Sequence, residues 1–169
     1  MRSFLYSVFL LLALVTAAAA MDEEDRALLP DETDFALINT CLDQTEHKQY
    51  PDTSHCIRLV SNRCIGLRLH ILPMQCDERE KNAWHSLMDK YFDLIIRTES
   101  SHPELVASFV YAHENWLKYK YDDCSYLTGR WADGTTAQKE ASYACSLDAY
   151  AVRALKYYYL AQFSHLPRE

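Results

Sequence analysis

Apolar positions recur at three- and four-residue spacing along most of this chain, and that period predicts helices rather than strands. In residues 74–97, Ala83, Trp84, Leu87, Met88, Tyr91, Leu94 and Ile95 make one stripe, while Asp77, Glu78, Arg79, Glu80, Lys81 and Lys90 decorate the rest. A second stripe, Leu105, Val106, Phe109, Ala112, Trp116, Tyr119 and Lys120, covers residues 103–123 and runs on to Cys124. Pro103 and Glu104 suit its first turn, where proline's missing N–H costs nothing and a carboxylate meets the positive end of the helix dipole. The polar turn between these helices, residues 98–102, is short enough to lay them antiparallel. A third long helix fits residues 136–163, with Ala141, Cys145, Ala149, Val152 and either Tyr158 or Tyr159 toward the core. Tyr157, Tyr158 and Tyr159 are consecutive and cannot share one helix face, so at least one is expected in solvent.

Shorter elements precede these. Asp31 can cap a helix over residues 32–44 that gathers Phe35, Ile38, Cys41 and Leu42, and a break at residues 47–51 separates it from a helix over 53–62 with Cys56, Leu59 and Val60. Gly66 and Pro73 bracket a connector containing Leu67, Leu69 and Ile71. Residues 125–135, with Gly129, Trp131 and Gly134, form the longest expected loop. Only 3 glycines and 5 prolines occur in 169 residues, too few for a fold that turns at every hairpin, and the expected fold is all-α, a small antiparallel helical bundle.

The ends of the chain read differently. Arg2, an apolar run over residues 4–15 and the small residues Ala17 to Ala20 have the order of a secretory signal peptide, cleaved near Ala20; the run is too short to span a bilayer. The division is therefore residues 1–20 as leader, 21–34 as an acidic mobile segment and 35–169 as the helical domain, periplasmic or extracellular, with no membrane span. The formal charge of −7 is concentrated in residues 22–34, where seven acids stand against Arg26. A tail of that sign reads as solvated and does not suit nucleic-acid binding, which needs a basic face.

Six cysteines, Cys41, Cys56, Cys64, Cys76, Cys124 and Cys145, lie after the leader, an even number that implies three disulfides in an oxidising compartment. No C-x-x-C pair occurs, so neither a metal nor a cofactor is expected. Six cysteines allow fifteen pairings. Cys124 with Cys145 is favoured because it closes the loop between a helix end and a helix start, and Cys64 with Cys76 and Cys41 with Cys56 follow.

No hydrolase, nucleotide-binding or metalloprotease motif is present; His113-Glu114 continues as Asn115-Trp116 rather than toward a second histidine, and the chain is read as a non-enzyme. Trp116 on an apolar stripe is a core anchor before it is a stacking platform, and Lys120 and Arg153 are expected to bind carbonyls or carboxylates within the fold. Candidates for partner contact are Asp122, Asp123, Tyr126, Trp131 and Asp133, around the loop. They read either as a solvated rim or as a surface for a basic enzyme.

Cys76, Leu87 and Tyr91, then Ala112, Trp116, Tyr119, Lys120 and Cys124, then Gly134, Cys145 and Arg153 follow an ordered pattern that resembles the lysozyme inhibitor LprI-like N-terminal domain family. The departures are Met88 where that pattern has Asn, Lys120 where it has Arg, Tyr121 where it has Asp and Tyr150 where it has Thr. The resemblance implies a small extracytoplasmic helical domain of bacterial type. It further implies a protein partner, either a lysozyme-like muramidase that the domain occludes or another envelope protein that it joins without inhibiting.

Overall fold

The computed structural model describes residues 26–45, 53–67 and 71–163. Residues 1–20, read from sequence as a leader, the acids Asp22 to Asp25, the break at 47–51 and Leu69 lie outside the described residues. The elements are α1 (Glu32–Thr45), a single 3-10 turn (Ser54–Cys56), α2 (Leu59–Gly66), α3 (Pro73–Thr98), α4 (Pro103–Thr128) and α5 (Thr136–Phe163), with no strand among the described residues. No helix among them is long and apolar enough to cross a membrane.

The core is the contact between α3 and α5. Trp84, Leu87, Met88, Tyr91 and Ile95 of α3 are buried with Leu147, Ala151, Ala154, Leu155, Tyr157 and Tyr158 of α5, and Ala83, Ala151 and Ala154 let the two backbones approach closely. Ring contacts give the register: His85 meets Tyr150 and Tyr91 meets Tyr158, so α3 and α5 run parallel. The chain returns between them as α4, antiparallel to both, with Phe109 against Tyr157 and Trp116 against Tyr150. Phe92, stacked on Phe109 and tilted on His113, carries α3's ring contact with α4.

This arrangement changes three sequence expectations. First, no residue of α4 is buried: Ala112 and Tyr119 are exposed and Trp116 only half-buried, because α4 rests mainly on α5 instead of entering the core. Second, the buried face of α5 is Leu147, Ala151, Ala154, Leu155 and Ala161 rather than Ala141, Cys145, Ala149 and Val152; Val152 is 60% exposed. Third, none of Tyr157, Tyr158 and Tyr159 is exposed, since α5 is covered by α3 on one side and α4 on another.

Local boundaries shift for identifiable reasons. Residues 53–62 are not one helix: Arg58 adopts a left-handed φ of 78°, which separates the 3-10 turn from α2. The carboxylate of Glu80, itself fully buried, accepts from the backbone N–H of Arg58 (2.6 Å) and Ser61 (2.7 Å) and caps α2 from a neighbouring helix. Helix α4 continues to Thr128, whose hydroxyl bonds the Cys124 carbonyl at 2.9 Å, so Tyr126 is helical and the expected loop shrinks to residues 129–135. Gly134, at φ +75°, supplies the positive dihedral of that turn.

The acidic segment is also partly folded. Asp31 caps α1 by accepting from the N–H groups of Thr33 and Asp34, and the Asp34 carboxylate returns the contact to the Asp31 N–H. Asp34 is fully buried and binds Arg63 and Arg79, each at 2.7 Å; Arg79 also reaches Asp31 and the Ala27 carbonyl, and Asn82 reaches the Leu28 carbonyl. The domain thus begins before residue 35, and two acids counted with the tail are its fastenings.

All six cysteines are paired, as Cys41–Cys56, Cys64–Cys76 and Cys124–Cys145, consistent with an oxidising compartment. Cys124 and Cys145 are 21 residues apart in sequence and their Cα atoms lie 5.7 Å apart. Replacing both by serine is expected to lower stability by about 3 kcal/mol, the loop-closure entropy restored to the unfolded chain. Urea unfolding at unchanged native helicity checks it; a midpoint equal to that of the parent protein would refute the estimate.

Candidate functional site

Two ladders of side chains face each other where α4 lies on α5. On α4, His113, Trp116 and Lys120 fall three and four residues apart; on α5, Tyr150, Arg153 and Tyr157 do the same. The Cys124–Cys145 bridge sets their register, so that each step back along α4 meets an equal step forward along α5. Lys120 meets Tyr150, Trp116 meets Arg153, and His113 meets Tyr157.

The contacts alternate cation and ring. Lys120 Nζ donates to the Tyr150 hydroxyl at 2.9 Å and lies 4.1 Å from that ring's centroid. The Arg153 guanidinium lies 5.0 Å from the Trp116 ring and 4.8 Å from the Tyr157 ring. Its Nε donates to the Tyr157 hydroxyl at 2.9 Å, and an Nη donates to the Ala112 carbonyl at 3.2 Å. Each cation–ring pair is worth about 0.5–1 kcal/mol at a partly exposed site, so the ladder orients its charges more than it stabilises the fold.

Beside the ladder is a cleft of about 460 Å³, lined by Trp116, Tyr119, Lys120, Asp123, Leu127 and Asp148 together with Val152, Arg153 and Lys156. A second hollow shares Leu127 and Asp148 with it and extends to Arg130 and Trp131, so the groove continues from α5 toward the loop. Asp148 is held by Arg58 at 3.1 Å, which leaves Asp123 as the lining carboxylate without an ion-pair partner among the described residues.

Burial pushes the His113 imidazole below its ordinary 6.5, and the nearby positive charge of Arg153 adds to the shift against Asp89 and Glu114. A base depressed in this way contributes stability that is present above 6.5 and lost as the pH falls through the lowered value. A proton titration followed by NMR is expected to place His113 below 6.5, with Arg153→Gln moving it part of the way back; a midpoint above 6.5 would contradict the geometry. Burial likewise pushes the Tyr157 hydroxyl up, opposed by its bond from Arg153.

The sequence candidates are thus sorted by the structure. Trp116, Tyr119, Lys120 and Arg153 come together at the cleft and the Ala112 carbonyl accepts a bond from Arg153 beside it, whereas Leu87 and Tyr91 belong to the α3 core and Gly134 to the turn before α5. Among the expected partner residues, Asp123 lines the cleft and Trp131 its extension; Asp122 and Tyr126 are exposed on α4, and Asp133 accepts a bond from Gln138. Arg153 does bind a carbonyl within the fold, but Lys120 binds a hydroxyl rather than a carbonyl or carboxylate. Tyr150, Tyr157, Lys156 and His113 were not expected at the site, although the spacing of the first two about Arg153 was a readable signal.

Compared with known protein families, characterised proteins and solved structures, the chain matches none.

Proposed function

We propose that this protein is an exported binding protein that acts by occluding a partner enzyme, a lysozyme-like muramidase, with the outer face of α4 and the loop after it. One observation carries the reading: a 26-residue helix without a buried residue presents Tyr119, Asp122, Asp123 and Tyr126 on one stripe, and the turn that follows it carries the exposed Trp131. Tyr119, Tyr126 and Trp131 are 65%, 72% and 51% exposed, with Tyr121 nearby at 72%. Exposed aromatics supply the rigid contact area on which protein interfaces depend, and the interspersed acids suit a basic enzyme surface.

The ordered motif residues support the same reading. Two of the positions at which the chain departs from the LprI-like pattern, Lys120 and Tyr150, touch each other across α4 and α5. A lysis assay with the oxidised mature protein in micromolar excess is expected to show inhibition of at least one lysozyme type. Tyr126→Ala combined with Trp131→Ala should weaken it by about tenfold or more, as loss of a central aromatic pair does. Unimpeded lysis by every type tested would reject the proposal.

A further inference from the structure

We infer that the cleft between α4 and α5 is a binding site for an amphipathic anion, a carboxylate joined to a short apolar or aromatic body. The inference does not rest on the partner being a muramidase, because it follows from what lines the cleft.

The lining divides into two chemistries. Trp116, Leu127, Ala149 and Val152 give an apolar wall, and Leu127 and Val152 are both exposed to solvent, which a ligand would cover. Lys120, Arg153 and Lys156 give three positive charges in a protein whose net charge is −7. None of the three has a carboxylate within ion-pair distance among the described residues. Lys120 bonds a neutral tyrosine hydroxyl, while Arg153 bonds a neutral hydroxyl and a backbone carbonyl. Asp148 is already engaged by Arg58, so three cations face one unengaged acid, Asp123.

The cations are also held in place before any ligand arrives. Arg153 is fixed between two rings and by two donated hydrogen bonds, which leaves about three of its five N–H donors for an incoming oxygen pair. A guanidinium oriented in this way recognises a carboxylate with little further loss of side-chain freedom. The cleft volume of about 460 Å³ accommodates a body the size of an aromatic amino acid or a short peptide end. The shared chemistry has two sources, a free small acid or the C-terminal carboxylate of a peptide ending in an apolar residue.

The test uses the mature, oxidised protein and three probes: N-acetylphenylalanine, its uncharged amide, and an acetylated tripeptide ending in phenylalanine with a free C-terminus. NMR signals of the Trp116 indole N–H and the Arg153 Nε–H report the cleft. The acid is expected to shift both saturably, and the amide to bind about tenfold more weakly or worse, the usual difference for a lost charge-assisted pair. Tighter binding of the tripeptide than of the single residue assigns the peptide source, and equal binding assigns the free acid. Lys156→Gln and Lys120→Gln should each weaken the acid, and Arg153→Lys should retain more binding than Arg153→Gln, which separates charge from any loss of fold. The inference is overturned if the amide binds as well as the acid, if the cation variants leave affinity unchanged, or if neither acid produces a saturable shift. Lysis inhibition is read separately, so either proposal can fail alone.

Discussion

Replacing Asp34 by alanine is expected to cost about 3–5 kcal/mol, the largest effect of any single surface-type residue in this protein. The side chain is only 1% exposed and binds Arg63 and Arg79 at once, with Arg79 itself 10% exposed. Its removal leaves a buried guanidinium facing the space of the lost carboxylate, and α1 loses its buried ion pairs to both α2 and α3. Asp31→Ala provides the comparison, because Asp31 is half-exposed and chiefly caps a helix, a role worth about 1 kcal/mol. Urea unfolding with disulfides intact measures both. Equal losses for the two variants would show that the buried network does not hold α1.

Glu80→Ala is the second large effect, expected at about 3 kcal/mol or more because three donors lose their acceptor together. These are the Arg58 and Ser61 backbone N–H groups and the Trp84 indole N–H, at 2.6, 2.7 and 2.9 Å. The same residue gives stability a pH dependence. Burial pushes the Glu80 carboxyl above its ordinary 4.5, against the opposing pull of those donors. An acid raised on folding contributes stability that is fully present below its unfolded value and declines as the pH rises through the folded value. Relative to Glu80→Gln, the parent protein should therefore lose stability on going from below 4.5 upward through that raised value. A difference that grows with pH in the opposite direction would mean that the donors outweigh burial.

Both residues show where sequence reading failed. Acids on an amphipathic pattern read as surface, and nothing in the local sequence marks Asp34 or Glu80 as buried; the information is in Arg63, Arg79 and the backbone of Arg58, which lie 22 or more residues away from their partners in the two networks. The helix at 74–97 was legible because proline, a strong apolar stripe and a charged opposite face agree, and α3 occupies nearly those bounds. For α4 the stripe reported that a face is covered without reporting how many neighbours cover it. In α5 three of the buried positions are alanines, Ala151, Ala154 and Ala161, whose small size serves close packing but gives a weak hydrophobic signal. The positive φ of Arg58 had no sequence signal at all.

The site was legible to the extent that its register was. The bridge between Cys124 and Cys145, together with antiparallel helices, is enough to bring Trp116 to Arg153 and Lys120 to Tyr150. The sequence pattern named Trp116, Lys120 and Arg153 but treated them as separate architectural residues. Their joint presentation of positive charge against an apolar wall is a property of the packed pair of helices.

The three disulfides divide the chain into two covalent halves. Cys41–Cys56 and Cys64–Cys76 lie before the turn that follows Thr98, and Cys124–Cys145 lies after it, so no bridge crosses that turn. A protease that cut between α3 and α4 would leave two stapled pieces held together by noncovalent contacts alone, chiefly the seam of α3 with α5, with the Phe92 ring on α4 and the Arg58–Asp148 pair beside it. They would migrate together under native conditions and part in denaturant without any reductant.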